Sequence, residues 1–153
     1  MESVDLNAVK RAAAVALLCT LMSCASPPHL LLPDEEVWNR TELTSLLAAQ
    51  PLAAGDNIRT SVLGRTESLS YHLVQIRDRE RPHLHASHDA SVTLMRGSGE
   101  LYIAGQPHAM SAGDVAVIRR GTPHYFVNSG NEPAVAFAAF VPPYDGSDNV
   151  PVD

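Results

Sequence analysis

From Ile58 to Val141 short runs rich in β-branched and aromatic residues alternate with Gly, Pro, Asn and Asp, and inside the runs apolar and polar positions take turns. This pattern predicts strands over 58–64, 69–77, 83–86, 90–96, 99–104, 107–111, 114–119, 123–128 and 134–141. Turns are marked by Arg96-Gly97-Ser98-Gly99, Gly105-Gln106-Pro107, Ala112-Gly113-Asp114 and Ser129-Gly130-Asn131. Many short strands at close, even spacing predict an all-β sandwich or barrel. No internal repeat is visible, so one barrel is expected. Upstream the pattern changes. Residues 25–33, with three prolines, read as a tether. Thr41 suits a helix cap, Leu43, Leu46 and Leu47 repeat at helical spacing, and Pro51 stops the helix. The expected organisation is a tether and short helix over 24–57, the barrel over 58–145 and a plain tail over 146–153.

The first residues read differently again. Lys10-Arg11 precede a short apolar run from Ala12 to Met22, which ends in Ser23-Cys24. A positive start, a short apolar core and a small residue at the break are the parts of a secretory signal. Leu21-Met22-Ser23-Cys24 resembles a lipobox, the cleavage motif of bacterial lipoproteins. That resemblance implies a signal peptide over 1–23, lipidation at Cys24 and a domain anchored by lipid at the periplasmic face of the cell envelope. Glu2 and Asp5 are acidic where a signal is basic; translation from Val9 would remove them. The rival reading is a buried N-terminal helix with an incidental cysteine.

Composition narrows the chemistry. The chain has 153 residues, one domain's worth, with 45% hydrophobic and 18% charged residues. Its 11 basic and 17 acidic residues give a formal net charge of -6, which argues against nucleic-acid binding. Cys19 falls in the apolar run and Cys24 at the cleavage motif, so neither thiol catalysis nor a cysteine-bound metal is expected.

The histidines carry the candidate chemistry. His83, His85 and His88 sit in HLHASHD, and His124 sits in RGTPHYFVN. Residues two apart on a strand share a face, so His83 and His85 point the same way. Two imidazoles on one strand and a third from a distant strand can meet at one metal, and neutral imidazole suits Fe, Zn, Mn, Ni and Cu.

Both segments resemble the two sequence motifs of the cupin superfamily. The second motif reads Gly113, five residues, Arg119, Arg120, Gly121, Thr122-Pro123, His124, three residues and Asn128, departing only where Arg119 replaces a proline. The resemblance covers about residues 58 to 141 and implies a jelly-roll barrel with a divalent transition metal and a small ligand at its mouth. The family's glutamate ligand has no clear counterpart. Counting forward from His85 reaches Asp89, and counting back from Gly97 reaches Ala90. Three sites stay open: His83, His85, Asp89 and His124; the same with His88 in place of Asp89; or the three histidines alone, as in thiol dioxygenase-like cupins.

Other residues are read as structural. His72 is a core histidine or a pocket wall, His108 is exposed, Tyr125 is packing, and Glu100 and Asp114 are solvent-exposed. Tyr144 and Asp145 belong to a plain C-terminal loop, the alternative being closure of the barrel mouth. No acid–base pair beyond the ligands is evident. The resemblance implies a metalloenzyme of the dioxygenase, isomerase or lyase class acting on a small molecule, with a non-catalytic metal-binding or ligand-binding lipoprotein as the alternative and an inert histidine core as a third. Homodimerisation is a family habit.

Overall fold

The computed structural model describes residues 27–34 and 37–152. The expected signal peptide over 1–23 and the expected lipidation site at Cys24 lie outside them. Among the described residues, twelve strands and one helix follow one another: β1 His29–Asp34, β2 Val37–Glu42, α1 Leu43–Ala49, β3 Ile58–Arg65, β4 Ser70–Ile76, β5 His83–Leu84, β6 Asp89–Arg96, β7 Ser98–Ile103, β8 Gln106–Ser111, β9 Val115–Ile118, β10 His124–Asn128, β11 Ala134–Val141 and β12 Val150–Pro151.

Two five-stranded antiparallel sheets, ordered β12-β5-β10-β7-β8 and β3-β4-β11-β6-β9, face one another as a jelly roll. The all-β expectation is met, and each strand predicted between 58 and 141 is present. Alternation explains the core. Ile76, Leu94, Leu101, Met110, Ile118, Phe126 and Phe140 point inward and form one buried cluster. Ala90, Ala134, Ala136 and Ala138 point inward as well. Four methyl groups where large side chains would fit leave space, and the barrel holds a cavity of about 100 Å³. Gly99 permits the close strand contact beside it, because a Cβ there would strike the Val127 carbonyl and the Phe126 ring.

The outer face of β4 and β11 is also buried, since Leu73 and Val135 pack against Leu30 and Leu43. Here the tether expectation fails. Strands β1 and β2 pair antiparallel, and Leu30 and Leu32 of β1, with Leu46 and Leu47 of α1, cover the sheet. Apolar burial outweighs the proline-rich composition that read as linker. The helix starts at Leu43, after Glu42, without a side-chain cap; Thr41 lies in β2, and Leu43 N–H donates to Pro28 O at 3.0 Å. The plain-tail expectation fails too, because Val150–Pro151 pairs with His83–Leu84 as β12.

Candidate metal centre

β10 pairs with β5 so that His124 lies directly opposite His83. The turn before β10 needs Gly121 at φ 74°, a conformation that costs glycine little. Gly121 N–H donates to His85 O at 2.7 Å, which ties that turn to the second histidine of the HxH pair. The three rings converge, with centroids 4.3 Å apart for His83 and His124, 5.1 Å for His83 and His85, and 5.3 Å for His85 and His124. All three are buried.

Their hydrogen bonds fix the tautomer. His83 Nδ1 faces Arg81 O at 2.9 Å, His124 Nδ1 faces Thr122 O at 2.9 Å, and His85 Nδ1 faces Asp148 O at 2.6 Å. A carbonyl only accepts, so each Nδ1 carries the proton and each Nε2 keeps its lone pair. One ligand nitrogen from each ring lies within 4.8 Å of the other two. This is the outer hydrogen bonding that orients histidine ligands at metal sites. Burial, and then the neighbouring His83 and His85, pushes His124 down to about 4 against the pull of its carbonyl partner. Burial also lowers His85. Neutral imidazoles with converging lone pairs fit a divalent transition metal, and they suit Fe, Zn, Mn, Ni or Cu better than Mg or Ca.

The structure does not bring Asp89 to this cluster. β6 begins at Asp89, so strand parity turns Ala90 inward to the cavity and Asp89 outward. Asp89 accepts from Arg120 N–H at 2.8 Å and from the Arg120 guanidinium at 2.8 Å, and those bonds hold its carboxyl down to about 2. His88 is buried but stands apart from the three. Its Nδ1 bonds Asp148 Oδ2 at 2.5 Å and its Nε2 faces Pro143 O at 3.4 Å, so both ring nitrogens are directed at the C-terminal segment and away from the three converging rings.

His72 is buried beneath the cavity wall. Its Nε2 bonds Ser70 Oγ at 2.8 Å and its Nδ1 has no partner. Ser70 Oγ also accepts from Tyr144 N–H at 2.8 Å. The arrangement suits a neutral ring, and burial lowers its pKa accordingly. His108, Glu100 and Asp114 are exposed. Tyr125 stacks on Tyr102 at 4.5 Å.

Sequence reasoning missed Glu80. It lines the cavity with the histidines. Its N–H donates to Phe126 O and its Oε2 accepts from Phe126 N–H, both at 2.8 Å. Burial raises its carboxyl, and His83 and the Phe126 amide oppose that. Among the described residues no Arg or Lys lines this cavity. The polar lining besides the histidines is Thr60, Glu80, Tyr144 and Asn149, and the rest is apolar.

Residues 71–140 match the cupin domain family. The chain is 40% identical over 98 residues to an uncharacterised protein of Aquifex aeolicus, covering 64% of this chain and 80% of that one. The structure of KdgF from Halomonas sp. superposes with a TM-score of 0.56 at 24% identity, over 61% of this chain and 86% of that one. The structure of Streptomyces Pac13, described as a nucleoside dehydratase, superposes with a TM-score of 0.54 at 17% identity, over 63% of this chain and 78% of that one. At such identities these two speak for the fold.

Proposed function

The chain belongs to the cupin family, and from that premise we propose that its barrel is a metal-dependent active site for a small molecule. The observation that carries this reading is the set of three Nε2 atoms, each aimed by a carbonyl behind its ring, meeting beside a carboxylate that holds no metal-ligand position. His83, His85 and His124 would hold the metal, and the metal would polarise a bound carbonyl or hydroxyl, or take part in redox chemistry if it is iron.

The remaining work falls to the chain itself. The apolar walls of Val74, Leu94, Leu101 and Ile118 exclude water from the reacting group. Glu80 is tethered through Oε2 to the Phe126 amide, and its carboxyl would take a proton from the ligand or return one. Tyr144 and Asn149 offer hydrogen bonds at the cavity edge. A cavity of about 100 Å³ encloses only a few heavy atoms, since roughly 150 Å³ is needed to enclose benzene. The reacting portion of the ligand is therefore small, and a larger molecule would reach out through the mouth. Glu80 favours an enzyme over a passive receptor, because a purely apolar binding cavity needs no carboxyl beside its histidines. The lipobox-like segment ending in Cys24 supports placement at the cell envelope; labelling with a radioactive fatty acid, lost on Cys24→Ser, tests that.

The central test is elemental analysis of the purified protein after loading with Fe(II), Mn(II), Ni(II), Cu(II) or Zn(II). One metal per chain, lost in a folded His83→Ala/His124→Ala variant, supports the site. The metal retained selects the assay: oxygen consumption for iron, lyase and isomerase screens for zinc or nickel. A folded wild type that takes up none of the five metals sinks the reading. Glu80→Gln separates the enzyme from the receptor, since it should retain the metal and lose turnover.

A further inference from the structure

The three histidines are not anchored alike. His83 and His124 take their Nδ1 acceptors from two residues back on their own chain segments, Arg81 and Thr122. His85 takes its acceptor from Asp148, 63 positions away. One side of the cluster therefore depends on the C-terminal segment.

That segment is closely tied to the site. The Asp148 carboxylate accepts from Ala86 N–H, Ser87 N–H and Ser87 Oγ–H at 2.9 Å each, and from His88 Nδ1–H at 2.5 Å. His88 reaches the same segment at Pro143 O. Val150 and Pro151 pair with Leu84 and His83, and Val152 N–H donates to Pro82 O at 3.1 Å. At the other end the Tyr144 carbonyl accepts from Arg65 at 2.7 Å, and its ring lies 4.6 Å from Phe140 and 5.1 Å from His85. Between these anchors, Asp145 to Ser147 are exposed. Residues 144–152 are thus a strap, fixed at both ends and crossing beside the ring of His85.

We propose that Asp148 is the positioning residue of the metal centre, and that docking of strap 144–152 and binding of the metal at His83, His85 and His124 stabilise each other. This rests on the metal reading given above. A docked strap holds Nδ1 of His85 and so aims its Nε2 at the other two. An undocked strap frees one ligand of three and removes Tyr144 and Asn149 from the cavity wall. Linkage then requires reciprocity: whatever factor the strap contributes to metal affinity, the metal must contribute to strap docking. The same contacts account for His88, the third histidine of the HLHASHD run, as a clasp between loop and strap.

The test compares wild type, Asp148→Ala and Asp148→Asn. Zn(II) affinity is measured by chelator competition, ligand geometry by the visible spectrum of the Co(II) form, and strap docking by hydrogen exchange at Tyr144 and Val152 with and without Zn(II). Asp148→Ala keeps the main-chain carbonyl behind His85 but removes the carboxylate bonds to Ala86, Ser87 and His88 that dock the strap carrying it. It should weaken Zn(II) by at least about 10-fold, the lower end of the range for disturbing a partner behind a ligand, and alter the Co(II) spectrum. Asp148→Asn keeps one acceptor oxygen and should fall between. In wild type, Zn(II) should slow exchange at both strap amides by a factor comparable to that affinity loss. Ser147→Ala, whose hydroxyl bonds only Asp145 within the strap, should leave every readout unchanged. If both Asp148 variants fold and bind Zn(II) as tightly as wild type with an unchanged spectrum, or if Zn(II) leaves strap exchange unchanged, the inference is overturned while the metal reading stands. Should Asp148→Ala not fold, Asp148→Asn and the wild-type exchange measurement still decide. A wild type that takes up no Zn(II) or Co(II) overturns both.

Discussion

Two segments are added to the barrel, one before β3 and one after β11, and they are held by opposite means. The N-terminal strand pair and helix cover the outer face of β4 and β11 with leucines, and Leu43 and Leu73 are almost wholly buried there. The C-terminal strap is held beside His85 by carbonyls, a carboxylate and one tyrosine. Apolar cover is non-directional and tolerates small shifts. Hydrogen bonds to a ligand ring do not, because their strength depends on angle and distance. The first segment should therefore govern stability and the second should govern the metal.

The sharpest contrast is at the histidines themselves. His83→Ala/His124→Ala removes two of three converging Nε2 atoms, so metal affinity should fall by more than about 100-fold, while circular dichroism still reports a folded β protein. Leu73→Ala should do the reverse. A leucine 1% exposed in the outer cluster leaves a cavity on truncation. The expected loss is about 3 kcal/mol in urea unfolding, with metal stoichiometry intact. A metal loss in Leu73→Ala, measured under conditions where the variant is folded, would erase the distinction between the two segments.

How much of this was visible in the sequence follows the same division. The barrel strands were legible because alternation and turn residues are local signals. His83, His85 and His124 were legible because a pair on one strand and a Gly-Thr-Pro-His turn are local too. Glu80 was not. It sits in Arg77-Asp78-Arg79-Glu80-Arg81, a charged run that reads as solvated surface, and only the pairing of its backbone with Phe126 turns it inward. The strap was illegible because Pro142-Pro143-Tyr144-Asp145-Gly146-Ser147 has loop composition, and much of its hold on His85 comes from a main-chain carbonyl. The N-terminal strand pair was hidden by prolines flanking its leucines. Whether Asp89 or Ala90 faces the cavity could not be read by counting, since it depends on the residue at which β6 begins.

Acid should act next in order of size. The unfolded chain holds its histidines near about 6.5, while burial pushes His124 down to about 4 and lowers His85 in the fold. Between those values the unfolded state binds more protons, so stability rises with pH across the window. The metal-free protein should accordingly lose stability as pH falls from about 6.5 towards 4, by on the order of 3 kcal/mol at most from His124. Urea midpoints at pH 7.5, 6 and 5 read this directly. His124→Asn should flatten the slope, and an unchanged slope would mean that His124 is not held neutral by burial.

The smallest effect belongs to Asp89, and its smallness is informative. Asp89 and Asp148 flank the same His85–His88 loop, and both carboxylates accept two or more hydrogen bonds. Asp148 bonds the loop that carries His85, whereas Asp89 bonds Arg120 on the outer side, where the pair is exposed. Exposed pairs contribute little, and the geometry gives Asp89 no route to the cavity. Asp89→Asn should change Zn(II) affinity less than about twofold, against the larger loss expected at Asp148. A loss at Asp89 matching that of the histidines would mean that β6 shifts register on metal binding and delivers Asp89 as the carboxylate ligand. In that event the Co(II) spectrum of Asp89→Asn would differ from wild type, whereas loss of an outer ion pair would leave it unchanged.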